Sequence, residues 1–144
     1  MISHAGLVAR REGGVWLGAL IEGESGAGKS DLALRLLDEG FRLVADDRVL
    51  LWTSGGRLYG RAPGVLSGLV EVRGVGVLQA PVLPMAEVAL VVRFGTPERA
   101  PDPAATERLG VRLPTLELSY LEASAPAKLR RAMGALYLGG QRRM

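Results

Sequence analysis

A glycine-rich phosphate-loop pattern, G-x-x-x-x-G-K-[ST], constrains this chain more than any other feature of its sequence. Gly23, Gly28, Lys29 and Ser30 meet the pattern in full, and Gly26 adds a further glycine inside it. Glycines let the backbone curl so that amide groups point at phosphate oxygens, assisted by the dipole of the following helix. The lysine then reaches the β- and γ-phosphates, and the serine hydroxyl binds Mg²⁺. The pattern therefore predicts a site for ATP with Mg²⁺.

The flanking sequence supplies the context that this pattern requires. Residues 15–21 are apolar and strand-sized, and they can form a hairpin with residues 2–10 across Gly13-Gly14. Apolar residues after the loop suit a helix, with Gly40 as its expected C-terminal cap. The order strand, loop and helix argues against a glycine-rich turn that matches by chance. The residues predicted to bind the nucleotide are Gly23, Glu24, Ser25, Gly26, Ala27, Gly28, Lys29 and Ser30.

Two adjacent carboxylates, Asp46 and Asp47, follow a second apolar segment at residues 41–45. The carboxyl ends of strands are where α/β folds gather their ligand chemistry. One carboxylate could hold Mg²⁺ while the other accepts a proton from an attacking hydroxyl. We expect both to continue an extended strand and so to face opposite ways, which suits two different roles. The alternative is a surface turn or a helix-capping pair, and the nearby phosphate loop favours the functional interpretation.

Three further residues are weaker candidates for the functional site. Glu71 and Arg73 are separated by one residue, so on an extended segment they would share a side and could meet a metal-phosphate cluster together. An exposed ion pair explains them equally well. His4 is the only histidine, and taken alone it indicates a structural or surface residue rather than a catalytic one.

Composition narrows the fold class. The chain has 144 residues, the usual size of one domain. Hydrophobic residues make up 48% of it and aromatic residues only 5%, so the core must be built from Leu, Val and Ala, as in sheets covered by helices. That composition favours an α/β fold. The absence of cysteine excludes disulfides and cysteine-based zinc sites.

Charge and hydropathy predict where the protein works and what it does not bind. No apolar run approaches the ~20 residues that a membrane span needs, and no signal peptide is visible, so we expect a cytoplasmic protein without membrane contact. The net charge is +3, and four arginines lie near the C-terminus: Arg130, Arg131, Arg142 and Arg143. A nucleic-acid surface would interleave such charges with aromatics, so we expect none. A solvated tail explains these charges, with docking to an acidic partner or a phosphate as the alternative.

Three segments, in order and spacing, resemble the catalytic domain of HPr kinase/phosphorylase. They are residues 23–34 (GESGAGKSDLAL), 43–49 (LVADDRV) and 71–76 (EVRGVG). The match covers nearly all of residues 1–110, and the combination is more specific than the phosphate loop alone. It implies a single P-loop kinase-like domain over residues 1–144, with a mixed central β-sheet flanked by helices.

The resemblance also implies an activity that runs in two directions. Members of the family phosphorylate a serine of the small carrier protein HPr with ATP, and they reverse this by phosphorolysis, in which inorganic phosphate yields pyrophosphate. It implies an HPr-like phosphocarrier as the partner. It further implies a homo-oligomer, which is a hexamer in the family.

Residue roles follow from the same resemblance. Asp46 matches the residue that acts as base in the kinase direction and as acid in the reverse. His4 matches the histidine on the strand before the loop, and Arg108 resembles the catalytic arginine of a later loop. The predicted catalytic residues are Asp46, His4, Lys29 and Arg108. The predicted metal-binding residues are Ser30, Glu71 and Asp47, although sequence does not separate the roles of the two aspartates.

Some features depart from the family, and two other functions stay open. The resemblance is to the catalytic domain alone, so we expect no counterpart of the N-terminal domain that longer members carry. His4-Ala5 stands in place of a His-Gly pair, and residues 123–132 lack a clear counterpart of the segment tied to phosphorolysis. One alternative is a P-loop small-molecule kinase. The other is a regulatory module that senses ATP without transferring phosphate.

Overall fold

A computed structural model describes residues 1–64 and 68–142 of the chain, without the side chains of residues 69–71 and 140–142. Within this part the chain forms eleven strands and two helices. They are β1 (Ile2–Ser3), β2 (Ala5–Glu12), β3 (Val15–Glu22), α1 (Lys29–Leu37), β4 (Phe41–Ala45), β5 (Val49–Ser54), β6 (Arg57–Arg61), β7 (Leu69–Val72), β8 (Gly76–Gln79), β9 (Ala86–Phe94), β10 (Ala104–Arg108), β11 (Val111–Leu118) and α2 (Ala125–Arg142).

Nine of these strands form one mixed sheet: seven lie in the order β1-β5-β6-β9-β3-β2-β4, and the other two branch from it, with β11 paired to β9 and β10 paired to β11. Strand β9 is the branch point, because its first residues pair with β6 while its last residues pair in parallel with β11. Strands β3, β9 and β11 all run in the same direction. Their carboxyl ends therefore meet at one edge of the sheet. Strands β7 and β8 form a separate two-stranded hairpin.

The sheet has a hydrophobic cluster on each face. One cluster joins both helices to the sheet, with Leu32 and Leu36 of α1 and Leu129 and Met133 of α2 fully buried in it. The buried residues of the other cluster all come from strands, because the sheet curls and packs on itself. Both helices thus cover one face, and the predicted α/β fold with a mixed central sheet is confirmed.

The predicted hairpin at the N-terminus is confirmed, since β2 and β3 pair along their whole length across Gly13-Gly14. The predicted cap of the first helix is wrong. Helix α1 ends at Leu37 with Asp38 as its C-cap. The amides of Asp38 and Glu39 donate hydrogen bonds to carbonyl oxygens three residues earlier, which tightens the last turn of the helix. Gly40, with φ of 85°, instead shapes the turn into β4.

The expectation that Glu71 and Arg73 lie on one extended segment is also wrong. Strand β7 ends at Val72, and Arg73 begins a turn closed by a hydrogen bond from the Val75 amide to the Val72 carbonyl at 2.9 Å. Gly74, with φ of 85°, permits this turn. The two residues therefore do not form a shared row of side chains on a strand.

Candidate active site

The phosphate-loop residues connect the end of β3 to the start of α1. Gly28 is the N-cap of α1 and has φ of 101°, in the left-handed region that only glycine adopts without strain. A Cβ at this position would also lie 2.8 Å from Leu121 Cδ2. The Leu32 amide then donates to the Gly28 carbonyl at 2.9 Å, which starts the helix. The chain here adopts the strand, loop and helix order that phosphate binding requires.

Lys29 folds back over this loop. Its ammonium donates a hydrogen bond to the carbonyl oxygen of Gly23, the first residue of the loop. The contact spans the loop and holds the positive charge beside its first residue. Ser30 follows on the first turn of α1, where its side chain is exposed. The lysine, the exposed serine and the helix N-terminus together fit a bound polyphosphate.

The register of the sheet brings the other predicted catalytic segments to the same edge. Ala5 of β2 pairs with Glu22 of β3, so His4 lies beside the start of the phosphate loop. Leu7 of β2 pairs with Ala45, the last residue of β4. Strands β3 and β4 both neighbour β2, so two spacings, about 10 Å, separate them. Asp46 thus emerges about 10 Å from the end of β3, and His4 directly precedes β2, the strand between them.

The two aspartates do not continue strand β4 as predicted. Strand β4 ends at Ala45, and the Arg48 amide donates to the Asp46 carbonyl at 2.7 Å across a tight bend. Asp47 occupies the centre of this bend with φ of 65°, a left-handed conformation that aspartate tolerates better than most residues. Both side chains are exposed. The two residues therefore lie in a bend, and the alternation of side chains along a strand does not apply to them.

Arg108 reaches this edge through an ion pair with Glu22, the last residue of β3. Its Nε lies 3.0 Å from Glu22 Oε2 and its Nη2 lies 2.6 Å from Glu22 Oε1. Arg93 Nε lies 3.8 Å from the same carboxylate, and Thr106 Oγ1 accepts hydrogen bonds from both arginines. The hydrogen bond to Glu22 raises the pKa of Arg108, against the opposing effect of burial. Two guanidinium groups are therefore held beside the first glycine of the loop.

Tyr120 supports the same corner from within the core. Its side chain is fully buried, and its hydroxyl donates to the carbonyl oxygens of Glu22 and Val92, the latter at 3.0 Å. Burial raises the pKa of Tyr120, and the negative charge of Glu22 adds to the effect. The ring of Phe94 meets it edge to face, with centroids 5.3 Å apart. The ends of β3 and β9 are thus fixed to the segment after β11.

A cavity of about 630 Å³ opens over the phosphate loop. Its lining comprises Glu22, Gly23, Glu24, Ser25, Gly26, Ala27, Arg93, Phe94 and Leu121. The volume lies within the range of small-ligand sites. Loop residues form one wall, and side chains from the ends of β9 and β11 form another. This cavity continues from the loop on the side of the sheet edge away from Asp46.

The predicted metal ligands are only partly described. Ser30 and Asp47 are exposed, whereas the backbone of Glu71 lies in β7 and its side chain falls outside the described part of the chain. Among the side chains that are described, no three acidic or histidine groups cluster closely enough to hold a metal ion. A hydroxyl and a carboxylate oxygen are nevertheless the hard ligands that Mg²⁺ binds together with phosphate oxygens and water.

Sequence reasoning missed Glu22, Arg93, Phe94, Tyr120 and Leu121. Glu22 carried one signal, since it is a charged residue at the end of an apolar strand directly before the loop. The other four come from the end of β9 and from the residues after β11, which reach the site because β9 pairs in parallel with β3 and β11 pairs in parallel with β9. No local pattern around them indicated that pairing.

Across residues 1–64 and 68–142, no helix has the length and apolar character needed to cross a membrane.

Comparison with known proteins points to one family. The family profile of the HPr Serine kinase C-terminal domain matches residues 10–122. The HPr kinase/phosphorylase of Clostridium tetani is 52% identical over 67 residues, which are 46% of this chain and 22% of that protein. That of Clostridium botulinum (strain Eklund 17B / Type B) is 39% identical over 102 residues, which are 66% of this chain and 33% of that protein.

The fold has a close counterpart among solved structures. The Hpr(Ser) kinase/phosphatase from Coxiella burnetii superposes with a TM-score of 0.79 and 25% sequence identity. The superposition covers 99% of this chain and 94% of that one. The two bacterial relatives are longer, since the matched segments span only 22% and 33% of their lengths.

Proposed function

The chain belongs to the HPr serine kinase C-terminal domain family, and we propose that it is a kinase that phosphorylates a serine of an HPr-like carrier protein. In this proposal it uses ATP with Mg²⁺ and also reverses the reaction by phosphorolysis. Residues 1–144 would act as one catalytic unit, in the cytoplasm and as a homo-oligomer. The names and fold of its relatives support the proposal.

One observation carries the proposal: the phosphate loop follows β3 and Asp46 follows β4, and these two strand ends lie about 10 Å apart on either side of β2. A gap of this size accommodates a terminal phosphoryl group on the loop and a serine hydroxyl beside the carboxylate. A hydroxyl is a poor nucleophile until a positioned base takes its proton. Asp46 is the base in this proposal, and the exposure of its side chain leaves it open to a protein substrate.

In the kinase direction, the serine Oγ forms a bond to the γ-phosphorus and the bond between that phosphorus and the β–γ bridging oxygen breaks. Bound ATP supplies the phosphoryl group, and Mg²⁺ offsets the charge on its oxygens. Asp46 accepts the hydroxyl proton. Lys29 stabilises the equatorial oxygens as charge spreads over them. His4, beside the loop, is proposed to orient the groups that meet there.

Phosphorolysis uses the same residues in reverse. An oxygen of inorganic phosphate forms a bond to the phosphoserine phosphorus, and the bond from that phosphorus to the serine Oγ breaks. Protonated Asp46 returns its proton to the leaving Oγ, and the product is pyrophosphate. Arg108 is proposed to stabilise the added negative charge. Since Arg108 is paired with Glu22, this role requires the guanidinium to share its donors between the carboxylate and phosphate.

For the metal, we propose that Ser30 contributes its hydroxyl and Asp47 its carboxylate, with Glu71 as a further ligand. Ser30 begins α1 directly after the lysine, where a serine hydroxyl can meet a metal bound to phosphate oxygens. The exposed position of Asp47 at the bend after β4 keeps its carboxylate accessible to hydrated Mg²⁺.

A phosphorylation assay with purified HPr-like carrier, ATP and Mg²⁺ tests the proposal. We expect serine phosphorylation by the wild type, and a loss of at least about 100-fold in rate for Asp46→Asn, the size typical of losing a general base. Asp38→Asn is the matched control, because Asp38 is an exposed carboxylate at the opposite end of α1 and should keep the wild-type rate. Adding inorganic phosphate should then release pyrophosphate from the phosphorylated carrier.

The outcomes separate the alternatives. ATP turnover with a small acceptor but not with the carrier would favour a small-molecule kinase. ATP binding without any transfer, and with no effect of Asp46→Asn, would favour a nucleotide-sensing module. Phosphorylation that survives Asp46→Asn unchanged would remove Asp46 from the role of base.

A further inference from the structure

The cavity over the phosphate loop has an apolar wall that the proposed chemistry does not use. Phe94, at the end of β9, is 51% exposed, and Leu121, just after β11, is 67% exposed. Both side chains line the cavity together with the loop itself. Large apolar side chains left this open beside a polar loop indicate a ligand with an apolar surface.

Both side chains lie directly against the loop. A Cβ built on Gly23 would be 3.6 Å from Phe94 Cβ, and one built on Gly28 would be 2.8 Å from Leu121 Cδ2. The two residues therefore flank the first and the last glycine of the loop. Phe94 is also held in place, since its ring meets the buried ring of Tyr120 edge to face. A ligand anchored in the loop would contact this wall without any movement of the backbone.

The in-line geometry of phosphoryl transfer indicates which part of the ligand contacts this apolar wall. Attacking and leaving oxygens lie on roughly opposite sides of the transferred phosphorus. The acceptor hydroxyl approaches from the side of Asp46, which follows β4 beyond β2. The leaving part of the donor must then extend the other way, toward β9 and β11, where Phe94 and Leu121 lie.

We propose that Phe94 and Leu121 form the nucleobase subsite of the phosphoryl donor, with the base stacked on the exposed ring of Phe94. This inference rests on the proposed use of a nucleoside triphosphate. It divides the site into a donor side at β9 and β11 and an acceptor side at β2 and β4. It also implies that inorganic polyphosphates, which lack a base, use the loop but not the wall.

Calorimetric titration with ATP and with inorganic tripolyphosphate, each with Mg²⁺, tests the division. For Phe94→Ala we expect the Kd of ATP to rise about tenfold, the effect of losing one base–aromatic stack, while the Kd of tripolyphosphate stays within about twofold of the wild type. Phe94→Leu keeps an apolar contact with Tyr120 but lacks the ring face, so it should show the same selective loss. Leu121→Ala should raise the Kd of ATP by a smaller factor.

Leu138→Ala is the matched control, since Leu138 is 54% exposed on α2 and does not line the cavity. It should leave both dissociation constants unchanged. Equal weakening of ATP and tripolyphosphate by Phe94→Leu would show that the residue acts on the loop, and would overturn the inference. So would unchanged ATP binding. If the wild type binds tripolyphosphate through Lys29 but binds ATP no tighter, the base subsite is wrong while the phosphate loop is right. If it binds neither, the proposed function fails as well.

Discussion

Glu22 and Arg108 form a two-bonded ion pair at the mouth of the phosphate loop, with nitrogen-to-oxygen distances of 3.0 and 2.6 Å. The two residues lie 86 positions apart in the chain. Both side chains are mostly shielded from solvent, at 20% and 21% exposure. The pair therefore links the strand that carries the loop to the strand β10, and its loss should affect stability more than a surface pair would.

Glu22→Gln tests this link. The substitution keeps the size of the side chain but leaves a shielded guanidinium with a neutral partner, so we expect the free energy of unfolding to fall by about 1–2 kcal/mol. Urea denaturation measures it. Glu87→Gln is the control, because Glu87 pairs with Arg57 at 3.3 Å and Arg57 is 67% exposed. An exposed pair of this kind should contribute less than about 0.5 kcal/mol. Equal effects of the two substitutions would contradict the prediction.

Deprotonation of Tyr120 should lower the free energy of unfolding at alkaline pH. Burial raises the pKa of Tyr120 above the ordinary value of 10.0, so the folded state holds the phenol proton more tightly than the unfolded state does. The resulting stabilisation is complete below pH 10 and is lost as the pH rises from there toward the folded pKa. We expect this group to contribute a slope of about 1.4 kcal/mol per pH unit.

Tyr120→Phe removes this titration, so its free energy of unfolding should fall less steeply between pH 10 and 11.5 than that of the wild type. At pH 7 the variant should be less stable by about 1–2 kcal/mol, since the carbonyls of Glu22 and Val92 lose their donor. Urea denaturation over this pH range measures both effects. Parallel alkaline slopes for the two proteins would show that Tyr120 does not control them.

The sequence predicted those parts of the site that depend on neighbours along the chain. The phosphate loop carries its own pattern, and the hairpin of β2 and β3 follows from apolar runs separated by two glycines. Arg108 and Phe94 could not be paired with Glu22 and Gly23, because only the parallel pairing of β9 with β3 and β11 brings them together. The left-handed conformation of Asp47 was equally hidden, since aspartate adopts both this conformation and the extended one.

The pairing of β3 with β9 should itself depend on a glycine. A Cβ on Gly18 would lie 2.6 Å from the Glu87 carbonyl oxygen, a backbone atom that has little room to move. On the adjacent strand β2, a Cβ on Gly6 would meet nothing closer than 3.9 Å. We therefore expect Gly18→Ala to lower the free energy of unfolding by about 2–3 kcal/mol, and Gly6→Ala to leave it unchanged or slightly higher. Thermal and urea denaturation of both variants measure these changes. If the two substitutions lower the free energy of unfolding equally, the close approach of Gly18 to Glu87 is refuted.

The bend at Asp47 allows its backbone role to be separated from its carboxylate. Asp47→Gly and Asp47→Asn both suit φ of 65°, so they should fold as well as the wild type. Asp47→Ala should be less stable by about 1–2 kcal/mol, because its Cβ opposes the left-handed conformation. The Gly and Asn variants can therefore report on metal binding, because neither should disturb the backbone of the bend.

If the Asp47 carboxylate binds Mg²⁺, the Gly and Asn variants should both need about tenfold more Mg²⁺ for half-maximal phosphorylation. Their affinity for ATP without metal should be unchanged. Asp46→Asn should behave differently, with a normal Mg²⁺ requirement and a much lower maximal rate, since a base acts on the proton rather than the metal. A raised Mg²⁺ requirement for Asp46→Asn alone would exchange the two roles.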